Sequence, residues 1–436
     1  YMGRRILALF GERVTMQFLS QAMGFADCVL LAMAPLGILT IIVSAIRVKG
    51  PPWLKSIIGR ARENLSTAEI ELMSSTSREV CELWNGLNLV RCQGSAEIWQ
   101  FICLIPDSVK SGGDKHPQHE VEIKSLRDML EEKVLVNQAH DGPRDLDREI
   151  PRDRLVDRAK GEPKITIVRD MTTNAAPNIS LNSHDSRRME TTVWAVISIL
   201  VQLGVLAFYC CTIYYQPWKH RFSKNDKQVV WYAFPAVAAG TIVLVLGLLI
   251  CAFVVEQSTR EDRYKTMNSD KIRMVWLQKH KTVNDQVFNS FAIYPSSGPE
   301  QHTFITSHRK DEQGQPDEPK KKGSLGSTTL AKFTAVLQSL ETLTTLGTFL
   351  SLLGFFFQFT GIRAMNWRAS LVQLGAIILM TILRSWVRRG FSRAPGSTPL
   401  VPGFELDWFA LSLVHPYNER WMGSTISDNS SRSKAL

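Results

Sequence analysis

Two stretches without an ionisable side chain, Thr191 to Trp218 and Gln228 to Val255, each run 28 residues and are separated only by the nine residues KHRFSKNDK. At about 1.5 Å of rise per residue, each is long enough to cross the roughly 30 Å core of a bilayer as a helix. The chain is therefore expected to be an integral, multi-pass membrane protein. Its average composition, 21% charged with a mean hydropathy of -0.06, blends two unlike populations that alternate along the 436 residues.

Three further apolar segments follow the same logic. Cys28 to Ile46 supplies 19 uncharged residues, Thr342 to Ile362 supplies 21 and Ala369 to Leu383 supplies 15. The last reaches spanning length only if Arg368 and Arg384 lay their stems along the apolar surface and keep their guanidinium groups at the interfaces, with Trp367 and Trp386 as interfacial aromatics. Five spans are expected, with four spans and a re-entrant fifth segment as the alternative. Pro35 and Pro235 are expected to kink their helices.

Between these lie water-compatible segments. Residues 106–190 are rich in alternating acids and bases with Pro and Gly, and read as a charged, partly disordered loop. Within it, residues 119–135 suggest a short amphipathic helix and 164–168 a brief strand. Upstream, a helix is expected from Pro52 to Ser74, then a turn ending at Asn85-Gly86 and a strand over Leu89 to Cys92. Residues 271–295 have two β-rich runs around a polar middle and look like a hairpin. Packed together, these pieces would form one mixed α+β unit outside the membrane.

The organisation read from the sequence is an N-terminal segment (1–22), spans at 23–46, 191–215, 229–255, 342–362 and 368–387, and extramembrane parts between them. Those parts are a small folded unit (47–105), the charged loop (106–190), a soluble loop with hairpin and polybasic tether (256–340), and a tail with an interfacial segment and a disordered end (388–436). The fold class is mainly α, with about five transmembrane helices and a small α+β extramembrane unit.

Residues 10–103, from FGERVTMQFLSQAMGFADCVLLAMAPLGILTIIVSAIRV through EVCELWNG and VRCQG, resemble a group of uncharacterised multi-spanning membrane proteins of filamentous fungi. The resemblance implies a membrane protein and supplies no catalytic residues. The chain begins at Tyr1 rather than Met, and shows no cleavable signal, so its native start is left open.

The chemistry-bearing candidates are sparse. Cys28, Cys210, Cys211 and Cys251 lie in apolar runs, while Cys81, Cys92 and Cys103 are spaced by eleven in the soluble part. No fourth ligand stands at finger-like spacing and three thiols cannot all pair, so reduced structural cysteines are expected, as suits a reducing cytosol. His116, His119 and Glu120 read as a solvated loop, because Pro117 spoils the helical geometry that would aim both rings at one ion. Gly323, Gly326, Ser327 and Thr328 lack the lysine and preceding strand of a phosphate loop. Lys320, Lys321 and Lys322 instead suggest a tether for anionic lipid, worth about 1 kcal/mol per charge near the surface. No catalytic, cofactor or metal site is expected.

Within the spans, Gln202 is singled out as a polar side chain that would bond to a neighbouring helix. Asp27, Glu341 and Arg384 are expected at span ends, where their heads reach water. Gly347, Gly354 and Gly361 recur every seven residues and form a smooth seam for the fifth segment or for a second copy of the chain. The short RAMNWR connection predicts a tight hairpin of the fourth and fifth segments. Lys and Arg near the span ends favour long loops and a C-terminus in the cytosol, although the short basic loop KHRFSKNDK opposes that orientation. The expected role is non-enzymatic anchoring, scaffolding or regulation, with the bilayer and protein partners of loops 47–190 and 256–340 as contacts and no nucleic acid. A transporter or channel subunit with its pathway between subunits is the alternative.

Overall fold

A computed structural model describes residues 12–22, 24–33, 37–105, 121–132, 134–138, 165–169, 175–183, 188–215, 230–266, 271–283, 285–296, 302–310, 339–389, 394–414 and 421. The charged segments around His116 and His119, the tract at 320–328, the whole KHRFSKNDK loop and the last residues lie outside that set. The chain divides into two compact units. A helical unit takes residues 1–75, 187–260 and 309–389, and a sheet unit takes residues 76–186, 261–308 and 390–436.

The helical unit holds, in chain order, α1 (Phe25–Met33), α2 (Ile38–Lys49), α3 (Pro52–Ile57) and α4 (Leu65–Leu72). After residues of the sheet unit, which contribute α5 (Leu126–Glu131) and α6 (Ile179–Asn182), it continues with α7 (Arg188–Tyr214), α8 (Ala233–Gln257), α9 (Leu340–Ala364) and α10 (Trp367–Val387). Among the described residues four helices are long and apolar enough to cross a membrane, and they are α7, α8, α9 and α10. The chain is thus helical with four candidate spans plus a β-rich part.

The first apolar segment is the exception to the expected five. It is divided into α1 and α2, and Gly37 at the break holds φ +80°, a left-handed conformation that interrupts a helix and that glycine adopts without Cβ strain. Both pieces pack against α8, where Leu30, Leu31, Ile41, Ile42 and Ala45 join Leu244, Leu248 and Cys251 in one core. Pro35 lies outside the described residues. Pro235 produces no mid-helix kink, since it is the third residue of α8, where its missing N–H has no partner to lose. The expected helix over 52–74 is also divided. Gly59, with φ +74°, ends the stretch that starts at Pro52, and Asn64 restarts it by accepting the Ser66 N–H at 3.4 Å.

The glycine seam of α9 receives α8 and not α10. Gly354 lies against the Leu244 backbone, Gly361 against Val237 and Gly347 against Cys251, while Gly240 and Gly247 of α8 lie against the backbones of Gln358 and Ser351. Two glycine rows of the same seven-residue period therefore face each other. A Cβ at Gly361 would stand 2.7 Å from the Val237 nitrogen, so no other residue fits without separating the helices. Filled from within, this face is closed to a second copy unless α8 leaves it. Nor do α9 and α10 form the expected tight hairpin. Asn366 caps α10 by accepting the Arg368 N–H at 3.1 Å, and α10 packs chiefly on α7, where Ala369, Ala376 and Met380 meet Val205 and Tyr209.

The sheet unit centres on a six-stranded sheet ordered β13-β11-β8-β3-β6-β4. Its strands are β3 (Ile98–Ile105), β4 (Val121–Ser125), β6 (Ile165–Arg169), β8 (Lys271–Gln278), β11 (Phe291–Tyr294) and β13 (Gly396–Pro399). All neighbours run antiparallel except β4 and β6, which are parallel. The central strands β3 and β8 pair Phe101 with Val275 and Ile102 with Met274. Alternate residues of β8 serve two cores, Ile272, Met274 and Trp276 on one face and Val275 and Leu277 on the other. The first face is covered by a three-stranded sheet, β12-β7-β5, made of β5 (Leu135–Asn137), β7 (Thr259–Thr266) and β12 (Thr303–Arg309), with Tyr264 stacked on Phe304 at 4.8 Å. The second face is covered by α11 (Glu405–Val414), whose Phe409 stacks on Phe101 at 4.4 Å.

Two small hairpins complete the unit, β1 (Val80–Trp84) with β2 (Leu89–Gln93), and β9 (Lys281–Val283) with β10 (Gln286–Phe288). Several local expectations change accordingly. The segment ending at Asn85-Gly86 is a strand, and the segment 119–135 begins as β4 before Ser125 and Asp128 close a capping box that starts α5. The 271–295 region pairs β8 with β11 as expected, with the β9–β10 hairpin in between. The tail segment turns Phe409 onto the sheet, while Phe404 and Leu411 stay exposed.

Candidate functional site

In the helical unit the notable polar groups are buried charges. Asp27 in the first turn of α1 and Arg384 in the last turn of α10 are 2% and 1% exposed, so neither head stands in water as the sequence suggested. Arg384 instead donates through Nε to the Leu30 carbonyl at 3.1 Å and through Nη2 to the Leu31 carbonyl at 2.5 Å. Those carbonyls belong to the last turn of α1, and the residue four places after Leu31 is Pro35, which has no N–H to give. One turn further along α10, Arg388 reaches the Asp27 carboxylate at 2.8 Å, and its guanidinium lies 4.7 Å over the Phe18 ring. Successive turns of α10 thus hold the two ends of α1, a cation at its negative end and a paired anion at its positive end.

A second cluster ties the short helices. Arg47 of α2 grips Glu63 bidentately, Nη2 to Oε1 at 2.6 Å and Nε to Oε2 at 3.0 Å, and reaches Glu71 at 2.6 Å, and fully buried Glu69 accepts from Arg309 at 3.0 Å and from Ser75 Oγ at 2.9 Å. Inside the long helices, Tyr209 Oη donates to Gln373 Oε1 at 3.0 Å, joining α7 to α10, and Gln358 Nε2 donates to Thr241 Oγ1 at 3.0 Å, joining α9 to α8. Gln202 is buried on α7. Gln358 and Gln373 were missed by sequence reasoning, though their positions inside uncharged runs were the available signal.

The sheet unit carries a surface cavity of about 360 Å³, lined by Trp99, Lys279, His280, Gly403, Glu405 and Leu406. It lies where the ends of β3 and β8 meet the first turn of α11. Lys279 Nζ stands 4.2 Å from the centre of the Trp99 ring and 2.6 Å from Glu97. Behind it, the His280 N–H donates to Ser290 Oγ at 3.0 Å, and that hydroxyl donates to Glu405 Oε1 at 2.8 Å, which also accepts the Gly403 N–H at 3.1 Å. Burial alone would push the Glu405 carboxyl up, but the bonds from Ser290, its own N–H and Gly403 outweigh it and hold the group below the usual carboxylate range. The hydroxyl in this wall is engaged as part of the frame. What the cavity offers is a flat aromatic face beside one cation.

The three soluble cysteines do not converge. Cys103 faces the core beneath α11, whereas Cys81 and Cys92 stand opposite each other on β1 and β2. Burial pushes Cys103 up to about 12 and, with a smaller contribution from Cys92, pushes Cys81 up to about 11; burial also raises Cys92. Among the described residues no group of three or more His, Cys, Asp or Glu is placed to hold a metal ion. Comparison with protein-family models, curated proteins and solved structures finds no match to this chain.

Proposed function

We propose that this chain is a multi-pass membrane protein whose helical unit anchors the sheet unit and displays it to a protein partner, a non-enzymatic scaffold or regulatory role. The observation that carries this reading is the assembly of the sheet unit from three separate stretches of chain. Residues 76–186 precede α7, residues 261–308 follow α8 and residues 390–436 follow α10. Crossing a bilayer in pairs, α7 with α8 and α9 with α10, returns the chain to the same face each time, as one folded unit requires. The pairing of polar groups between helices, Tyr209 with Gln373 and Gln358 with Thr241, favours a static anchor over a solute path.

With four spans, the short-loop face carries Lys219, Arg221, Lys224, Lys227, Arg363 and Arg368, while Arg4, Arg5 and Arg13, ahead of the first span, fall on the long-loop face; with five spans they would share the short-loop face. That change strengthens the cytosolic placement of the sheet unit. A second reading, a transport subunit, draws on Asp27, Arg384 and Arg388, because ionisable residues buried among spanning helices commonly mark ion or proton pathways. A flux assay in proteoliposomes separates the two. The anchor reading expects no flux above protein-free vesicles; robust flux that disappears in Gln202→Leu overturns it.

A further inference from the structure

We propose that Cys81 and Cys92 form a reversible disulfide site that locks the β1–β2 hairpin of the sheet unit. The two residues are direct cross-strand partners. Hydrogen bonds from Asn85 N–H to the Asn88 carbonyl at 3.2 Å and from Gly94 N–H to the Glu79 carbonyl at 2.7 Å fix the alternation of the ladder. Counting by two from either end, Cys81 and Cys92 fall at a hydrogen-bonded pair, for which the Cα separation is about 5.5 Å. That value lies inside the roughly 4.4–6.8 Å range that disulfides span. Both side chains project to the same face, into the core they share with Leu83, Val283 and Phe288, and Cys103 belongs to a different core.

Bonding requires the two Cβ atoms to close to about 3.8 Å, nearer than a hydrogen-bonded pair holds them at rest, so the bond twists the hairpin and is readily reduced. It is therefore a switchable link, not a permanent staple. The oxidant is a small-molecule disulfide such as oxidised glutathione. Both thiols are buried, and Cys92, at 8% exposure, is the less enclosed member beside the fully buried Cys81. The Cys92 thiolate attacks the external disulfide and releases one glutathione thiol. The Cys81 thiolate then attacks the Cys92 sulfur and releases the second. Two protein thiols lose two electrons and two protons, and one glutathione disulfide becomes two thiols.

The hairpin is a sensitive place for such a lock. Its Trp84 backbone is gripped at both polar atoms by Gln278 of β8, at 2.7 and 2.9 Å, and Glu82 accepts from Ser180 N–H at 2.8 Å and Ser180 Oγ at 2.6 Å at the start of α6. Twisting β1 against β2 thus pulls on the central strand and on α6 together.

The test uses the full-length protein in lipid nanodiscs, equilibrated in glutathione buffers of rising oxidised fraction, quenched in acid, alkylated and mapped by mass spectrometry. The expected result is loss of alkylation at Cys81 and Cys92 together, a peptide carrying the Cys81–Cys92 bond, and full recovery of both thiols in excess reduced glutathione. Cys103→Ala should leave the bond unchanged, and Cys81→Ser should stop at a glutathione adduct on Cys92. Two free thiols at 81 and 92 under the most oxidising buffer, an unresolved adduct in the parent protein, or a bond to Cys103 would each overturn the proposal. If Cys81→Ser does not fold, the parent peptide map still decides.

Discussion

Arg384 carries the largest difference between what its sequence position suggests and what it does. Near the end of an apolar run, an arginine reads as an interfacial residue; here it is enclosed and satisfies carbonyls of a helix more than 350 positions away in the chain. Nothing in the local pattern identifies that partner, because the accepting carbonyls lie in another segment. Asp27 and Arg388 form the testable pair. Asp27→Asn leaves the Arg388 cation without its anion and should lower stability by about 3–5 kcal/mol, whereas Asp27→Asn with Arg388→Met should recover much of that loss. Thermal unfolding in detergent reads both. In the sheet unit, Gln278→Leu removes both bonds to the Trp84 backbone and leaves a buried amide and carbonyl, an expected cost of about 2–5 kcal/mol. Glu405 supplies a pH dependence of determined sign. Its folded-state pKa is depressed, so its stabilisation is complete above the unfolded value of about 4.3 and is lost as pH falls through the folded value. Acid titration of sheet-unit stability should flatten below that pH in Glu405→Gln.

At the scale of elements, the long helices were legible because uncharged length is a local property, and β6, β2 and the β8–β11 pairing were legible from β-rich runs bounded by turn residues. The division of the first apolar segment was not, since Cys28 to Ile46 has the composition of a span and only Pro35 and Gly37 hint at an interruption. The segment 119–135 mixes a strand and a helix whose apolar positions merge into one helical-looking pattern, and only the Ser125–Asp128 cap separates them. The seven-residue glycine period was visible, but its partner was not, because a seam specifies a close neighbour without specifying which helix. Facing rows of glycine also predict a graded response. A Cβ at Gly347 would meet side-chain atoms, Cys251 Sγ at 2.9 Å and Ile250 Cγ2 at 3.0 Å, whereas one at Gly354 would strike the Leu244 backbone. Gly354→Ala should therefore cost about 1–3 kcal/mol and Gly347→Ala distinctly less. Detergent melting curves of the two variants provide the comparison.

At the scale of the whole molecule, the sheet unit could be anticipated as a mixed unit drawn from several loops, but its strand order could not. Edge and centre are decided by which stretch arrives beside which, and β13 reads as a loop in the GSTP sequence until Tyr294 and Phe291 pair with it. A protease added outside sealed vesicles tests the topology: cuts in the segments 106–120, 311–338 and 422–436 should all appear or all be protected together, and a split pattern would exclude a single face. The interruption of the sheet by helices also sets a schedule for biogenesis. Gln100 of β3 and its partner Trp276 of β8 are separated by 176 positions. At about 5–20 residues per second, a newly made β3 would wait roughly 9–35 s, while α7 and α8 are synthesised, with an unpaired apolar edge. Such an edge is a template for association with other chains until β8 emerges to cover it.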